Sequence, residues 1–296
     1  MSVHPDSNPK KITTQTLREK KKRGEPITML TAYDYPTAMA IDQTGIDVVL
    51  VGDSLGMVVL GYSNTLPVTM DDMIHHCRAV ARGASNAHLI GDMPFMSYQV
   101  SPAEAVRNAG RFLQEGGMDG VKLEGGSEKA ETIRAIVAAG IPVMGHIGLT
   151  PQSVHQLGGW RAQGKSAGGA KRLLEDALVL EDSGCYAVVL EVIPDRLAGL
   201  ITGRLEIPTI GIGAGSACDG QVLVTHDLLG FMNRRAPRFV KRYSNLYSEM
   251  SQAFLSFKQD VIERRFPAPE HAHQMEDEIF AELQKELDPG PRNQES

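Results

Sequence analysis

Eight short runs of aliphatic and β-branched residues recur along the chain, separated mostly by longer stretches of helical periodicity. The runs are Thr28–Thr31, Asp47–Val51, His88–Asp92, Gly120–Glu124, Ile141–His146, Tyr186–Glu191, Pro208–Gly211 and the weaker Gln221–Val224. Most are nearly all apolar, as expected of parallel strands buried on both faces. Helical patterns fall between them at Met70–Ala84, Pro102–Glu115, Glu128–Ala139 and Gly169–Asp182. Pro102 after Ser101 suits a helix start, and Gly116 and Gly140 suit helix stops. Strand and helix in alternation predict an α/β fold with a parallel sheet. A doubly wound sheet would carry a glycine-rich fingerprint after its first strand, and none stands there. A (β/α)8 TIM barrel is therefore the expected fold. Such a barrel takes about 250 residues, so a chain of 296 residues has room for extensions.

The two ends read differently from the middle. Residues 1–24 are expected as an N-terminal extension, 25–262 as the barrel and 263–296 as a polar, partly helical tail. Lys10–Arg23 holds seven Lys or Arg, including Lys20-Lys21-Lys22-Arg23. A run of this kind is expected as a solvated helix face rather than a nucleic-acid arm. Glu276–Leu287 has the pattern of an acidic amphipathic helix, and Pro289–Ser296 that of a frayed end. The net charge of −6 gives no basic field to recruit nucleic acid or an anionic membrane. No stretch approaches the roughly 20 apolar residues of a membrane span, and the first residues lack the apolar core of a secretory signal. Cys77, Cys185 and Cys218 are odd in number, far apart and without metal spacing, which predicts small buried hydrophobes in a reducing compartment. The cytoplasm is the expected location.

Charge falls at one end of the strands. Asp53-Ser54 follow the second strand through Gly52, and Asp92 closes the third. Lys122 and Glu124 alternate in the fourth, His146 closes the fifth and Glu191 the sixth. In a barrel the carboxyl ends of the strands converge on the face that carries the active site. Four carboxylates at one mouth repel unless cations balance them. Lys122 supplies one positive charge, and all-oxygen ligands favour a hard ion, Mg²⁺ before zinc. Lys122 and Glu124 project the same way because they lie two residues apart. Together they either work in the mouth or form an internal salt bridge capping it. Gly211-Ile212-Gly213-Ala214-Gly215 is either a phosphate-wrapping loop or a plain tight turn. His75-His76 are expected to face solvent or a neighbouring helix, and the His271/His273 pair to be incidental.

Several blocks carry a resemblance: VGDSLGMVVLGYSNTLPVTMDDMIHH, GDMPFMSY, GVKLEGG, PVMGHIGLTPQS, VVLEVIP and PTIGIGAG. They closely resemble, in uninterrupted order from about Lys11 to Phe257, the 3-methyl-2-oxobutanoate (ketopantoate) hydroxymethyltransferase family. The resemblance implies a pantothenate-pathway transferase. Its reaction moves a one-carbon unit from methylene-tetrahydrofolate to 3-methyl-2-oxobutanoate through a Mg²⁺-stabilised enolate, giving ketopantoate and tetrahydrofolate. It also implies Asp53, Asp92 and Glu124 as metal ligands and Asp53, Ser54, Asp92 and Lys122 as substrate-binding residues. Glu191 would be the proton acceptor and His146 part of the active-site lining. A homodecamer of two stacked pentamers is implied as well. Two rival readings are a Mg²⁺ barrel like the phosphoenolpyruvate mutase and isocitrate lyase group, and a non-catalytic ketoacid-binding barrel. The first usually carries a catalytic Cys on a mobile loop, and none of the three cysteines sits in such a motif. The second would have lost the base, and Glu191 is present.

Overall fold

A computed structural model describes residues 11–287, and these fall into two compact units that divide between Ser244 and Asn245. In the first unit eight parallel strands close into a barrel in sequence order. They are β1 (Ile27–Thr31), β2 (Val48–Val51), β3 (His88–Asp92), β4 (Gly120–Glu124), β5 (Val143–Gly148), β6 (Ala187–Glu191), β7 (Thr209–Ile212) and β8 (Gly220–Leu223). All eight expected runs are strands, with ends moved by a residue or two. Closure runs through β8 against β1, where Met29 faces Val222.

Alternation along each strand divides the apolar residues into two cores. Val48 and Leu50 of β2, Ile90 of β3, Met144 of β5 and Val189 of β6 pack inside the barrel. Val49, Val51, Leu89, Val121, Leu123, Val143 and Val188 instead join the shell between strands and helices. A strand apolar on both faces serves both cores, which is why no polar alternation is visible in the sequence. The shell helices begin where the sequence signals them. Helix Pro102–Gln114 starts behind Ser101, whose hydroxyl accepts from the Glu104 N–H at 3.2 Å. Helix Met70–Gly83 starts with a reciprocal cap between Thr69 and Asp72.

Two departures from the expected alternation matter. The β7–β8 connection carries no helix, and only the one-turn helix Thr225–Leu228 follows β8 in this unit. The basic run, expected to be solvated, is instead an ion-paired plug. Helix Thr14–Arg23 buries Leu17 with the barrel-interior residues. Lys11 pairs with Asp119 at 2.8 Å, Lys20 with Asp47 at 2.6 Å and Lys21 with Asp219 at 2.8 Å. Those aspartates stand at the amino ends of β4, β2 and β8, so three separate strands are tied to one segment.

The second unit holds helix Leu246–Ile262, which the sequence reading grouped with the barrel, and helix Asp277–Leu287. Between them Phe266 packs edge-on with Phe257 at 5.6 Å, and His271 Nδ1 accepts from the Ala268 N–H. The expectation for Pro289–Ser296 lies outside the described residues. Among the described residues no helix is long and apolar enough to cross a membrane. Cys77 and Cys185 are buried and Cys218 is half-buried.

Candidate active site

Parallel strands with one register bring their carboxyl ends to a common rim. Asp92 sits beside Lys122 across the β3–β4 pair, and Glu124 beside His146 across β4–β5. One cavity of about 180 Å³ is lined by Asp53, Ser54, Asp92, Lys122, Glu124, His146 and Glu191, so the structure collects every sequence-derived site residue in one place. His75 and His76 are not among its lining residues. His75 is exposed, and His76 Nδ1 lies 2.6 Å from the Tyr33 carbonyl oxygen. The Gly213–Gly215 turn also lies outside it, with left-handed Gly213 and Gly215 carrying the chain from β7 towards β8.

The charges are buried and interlocked. Lys122 Nζ lies 2.8 Å from Asp92 Oδ1 with both side chains almost fully enclosed. Burial acts to strip the Lys122 proton, but Asp92, Glu124 and Asp53 outweigh it and hold the ammonium above its usual range. The same crowding raises the carboxyls. Burial and the nearby Asp92 and Glu124 charges push Asp53 well above the usual carboxylate range. Burial also raises Asp92, against the pull of Lys122. The backbone N–H of Asp53 donates to Asp92 Oδ2 at 3.3 Å, which sets the two acids side by side. Asp92 Oδ1, also buried, is engaged only by the Lys122 ammonium.

These residues fit a hard divalent cation. Two adjacent carboxylates buried at a cost in charge repulsion are an oxygen donor set of the kind Mg²⁺ takes. Among the described residues no three acidic, His or Cys side chains converge closely enough to enclose an ion alone. Such an ion would therefore draw further oxygens from substrate and water, as Mg²⁺ commonly does. Glu124 is partly committed elsewhere, since its Oε2 accepts from the Gln152 N–H at 3.0 Å.

His146 bridges the two halves of the cavity. Its Nδ1 is 3.3 Å from Lys122 Nζ and 3.5 Å from Glu124 Oε1, and its Nε2 is 3.2 Å from Glu191 Oε2. Burial and Lys122 push the imidazolium down, while bonds to Glu124 and Glu191 offset them and leave the pKa raised to about 9. With its pKa raised that far the ring carries a proton on both nitrogens near neutral pH, so Nδ1–H lies on the side of Glu124 and Nε2–H faces Glu191.

Three residues that spacing did not single out complete the site. Gln152, in the turn after β5, donates from Nε2 to Asp53 Oδ2 and to the Met93 carbonyl, both at 2.9 Å. Its Oε1 accepts from the Tyr98 hydroxyl at 2.7 Å. Tyr33 shares a 2.8 Å hydrogen bond with Ser54 Oγ. Gln152 and Tyr98 fall within the blocks PVMGHIGLTPQS and GDMPFMSY, but nothing in their spacing marks them as hydrogen-bond hubs.

Comparison with solved structures shows the fold. A phosphoenolpyruvate phosphomutase from Streptomyces platensis subsp. rosaceus superposes with a TM-score of 0.59 at 14% identity, over 92% of this chain and 95% of that one. A phosphonopyruvate hydrolase gives 0.58 at 13%, over 93% and 96%. Curated sequences are much nearer. The 3-methyl-2-oxobutanoate hydroxymethyltransferase of Syntrophus aciditrophicus (strain SB) is 57% identical over 90% of this chain and 98% of its own length. The enzyme of the same name from Syntrophomonas wolfei subsp. wolfei (strain DSM 2245B / Goettingen) is 55% identical, over 92% and 99%. A sequence profile described as ketopantoate hydroxymethyltransferase matches residues 11–269, and with relatives this similar over nearly their full length, the chain belongs to that family.

Proposed function

We infer that the protein is a hydroxymethyltransferase of pantothenate biosynthesis. It transfers the one-carbon unit of methylene-tetrahydrofolate, with water, to C3 of 3-methyl-2-oxobutanoate, giving ketopantoate and tetrahydrofolate. The observation that carries this reading is one small cavity holding a carboxylate pair, a buried ammonium and, on a separate strand, a further carboxylate. Its volume, about 180 Å³, is below the roughly 300–1,000 Å³ of sites for drug-sized ligands, which suits a five-carbon ketoacid.

Mg²⁺ on Asp53 and Asp92, with Glu124 as the third oxygen donor of the expected set, would supply the Lewis acidity that makes the C3 proton of the ketoacid removable. Lys122 binds the carboxylate of the ketoacid, since it is a buried, permanently charged ammonium with no need to form an imine. Ser54, held by Tyr33, donates its hydroxyl to the same substrate. Glu191 takes the C3 proton. The Nε2–H of His146 faces Glu191 and orients it until that proton arrives. General-base assistance of this kind is worth about 10²–10⁴ in rate. The barrel, 25–262 in this reading, is the catalytic domain, and the assembly is a homodecamer of cytoplasmic enzyme.

The test has two stages. Purified protein with 3-methyl-2-oxobutanoate, methylene-tetrahydrofolate and Mg²⁺ should form ketopantoate. Without folate, it should exchange the C3 proton of the ketoacid with D₂O. Glu191→Gln keeps the shape of the side chain but not the proton acceptor, so exchange should fall by a factor on the order of 10² or more while ketoacid affinity persists. Exchange at the wild-type rate in this variant would remove Glu191 as the base.

A further inference from the structure

The cavity has a wall that the ketoacid chemistry does not use. Trp160, the single tryptophan of the chain, lines it from the loop after β5 and is 53% exposed. Two left-handed glycines, Gly158 and Gly159, turn the chain just before it. Among the described residues its ring pairs with no other aromatic ring. Met57 and Val58, from the short helix Leu55–Val58 after β2, line the same cavity and stay half-buried. What sets this half-exposed ring apart is its place, since it belongs to the cavity that holds Lys122 and Glu191.

The size of the cavity decides what that something is. About 180 Å³ takes a small ketoacid and little more. A folate, with its bicyclic ring, aminobenzoyl group and glutamate, cannot enter beside it. Its reactive methylene must nevertheless reach C3, so its ring system has to lie across the rim. A flat heteroaromatic ring gains most from a flat aromatic face, and stacking on one is commonly worth a tenfold or greater change in affinity. We propose that Trp160 is the stacking platform for the pteridine ring of the folate co-substrate, with the apolar Met57 and Val58 as the other walls of that subsite. The inference rests on the hydroxymethyltransferase reading above and gives its second substrate a place.

Because the chain has one tryptophan, its emission reports this site in the unmodified protein. Titration with 5-formyltetrahydrofolate, a stable reduced folate, in the presence of ketoacid and Mg²⁺ should quench that emission saturably. In steady-state kinetics Trp160→Ala should raise the KM for methylene-tetrahydrofolate tenfold or more and the KM for the ketoacid by less than about twofold. Trp160→Phe, which keeps a flat ring, should recover most of the loss, and circular dichroism checks that both variants fold. An unchanged folate KM in Trp160→Ala, or equal rises in both KM values, overturns the platform even when the wild type makes ketopantoate. A wild type that forms no ketopantoate and exchanges no C3 proton overturns the underlying reaction instead. Emission that no reduced folate perturbs counts against the platform in either case.

Discussion

A neutral amide holds the acidic site together. Gln152 is 5% exposed, and its amide and backbone reach Asp53, the Met93 carbonyl, Tyr98 and Glu124 at 2.7–3.0 Å. A carboxylate at this position would add a further negative charge to a group already pushed up by mutual repulsion, and a lysine would compete with Lys122. An amide donates to Asp53 and accepts from Tyr98 without altering the charge count. Partners that orient metal ligands in this way commonly change metal affinity or activity 10–100-fold when removed. Gln152→Leu keeps the volume but deletes both polar atoms and leaves Asp53 Oδ2 unpaired. Its Mg²⁺ affinity, measured by calorimetry without substrate, should fall by about tenfold or more. Stability should drop by roughly 1–3 kcal/mol for the buried groups left without partners. Wild-type Mg²⁺ affinity in a folded variant would show that Asp53 needs no such support. Asp53, Asp92 and Glu191 were legible because charge is anomalous at the end of an apolar strand. A buried glutamine in a turn is not anomalous in sequence, and its role exists only once β3, β4 and the β5 turn are brought together.

At the scale of the element, the barrel depends on places where a side chain is missing. Gly91 in β3 faces the shell, and a Cβ there would stand 2.2 Å from the ring of Phe112 on helix Pro102–Gln114. That ring is fully buried, so it has nowhere to retreat. Gly91→Ala should destabilise the protein by about 1–3 kcal/mol through overpacking. Pairing it with Phe112→Leu should recover part of the loss, a coupling that urea midpoints of the single and double variants would measure. Additive losses would place the strain elsewhere. The strands themselves were readable because parallel strands in a barrel are apolar on both faces. The helices were readable where caps mark them, as at Ser101 and Thr69. The missing helix between β7 and β8 was readable only from spacing, since Pro208–Gly211 and Gln221–Val224 leave nine residues between them. The basic N-terminal run misled. Lysines on a solvated face and lysines reaching Asp47, Asp119 and Asp219 look alike until those aspartates are assembled at the amino ends of their strands.

Across the whole barrel charge is polarised, with the cavity's buried carboxylates and ammonium at the carboxyl ends of the strands and a separate ionisable layer at the amino ends. His88 and Asp92 project inward from the same face of β3 four residues apart, one in each layer. His88 is buried, with Nε2 3.1 Å from the Tyr186 hydroxyl and Nδ1 3.6 Å from Asp119 Oδ2. Burial lowers its pKa from 6.5 to about 4, with Lys11 lowering it further and Asp119 pulling it back. A depressed histidine is neutral in the folded protein while the unfolded chain takes up a proton. Its contribution is therefore complete above about pH 6.5 and is lost as pH falls through 6.5 towards 4. The full shift corresponds to at most about 3 kcal/mol, since each pKa unit is worth about 1.4 kcal/mol. Urea unfolding at intervals between pH 7 and pH 4 should show wild-type stability falling faster than that of His88→Gln, which cannot take up the proton. His88→Gln should start less stable at pH 7, because it disturbs the packing against Tyr186, and the gap should narrow towards pH 4. Parallel pH profiles for the two proteins would mean that acid sensitivity arises at the carboxylate layer of the opposite end and that His88 is only a packed ring.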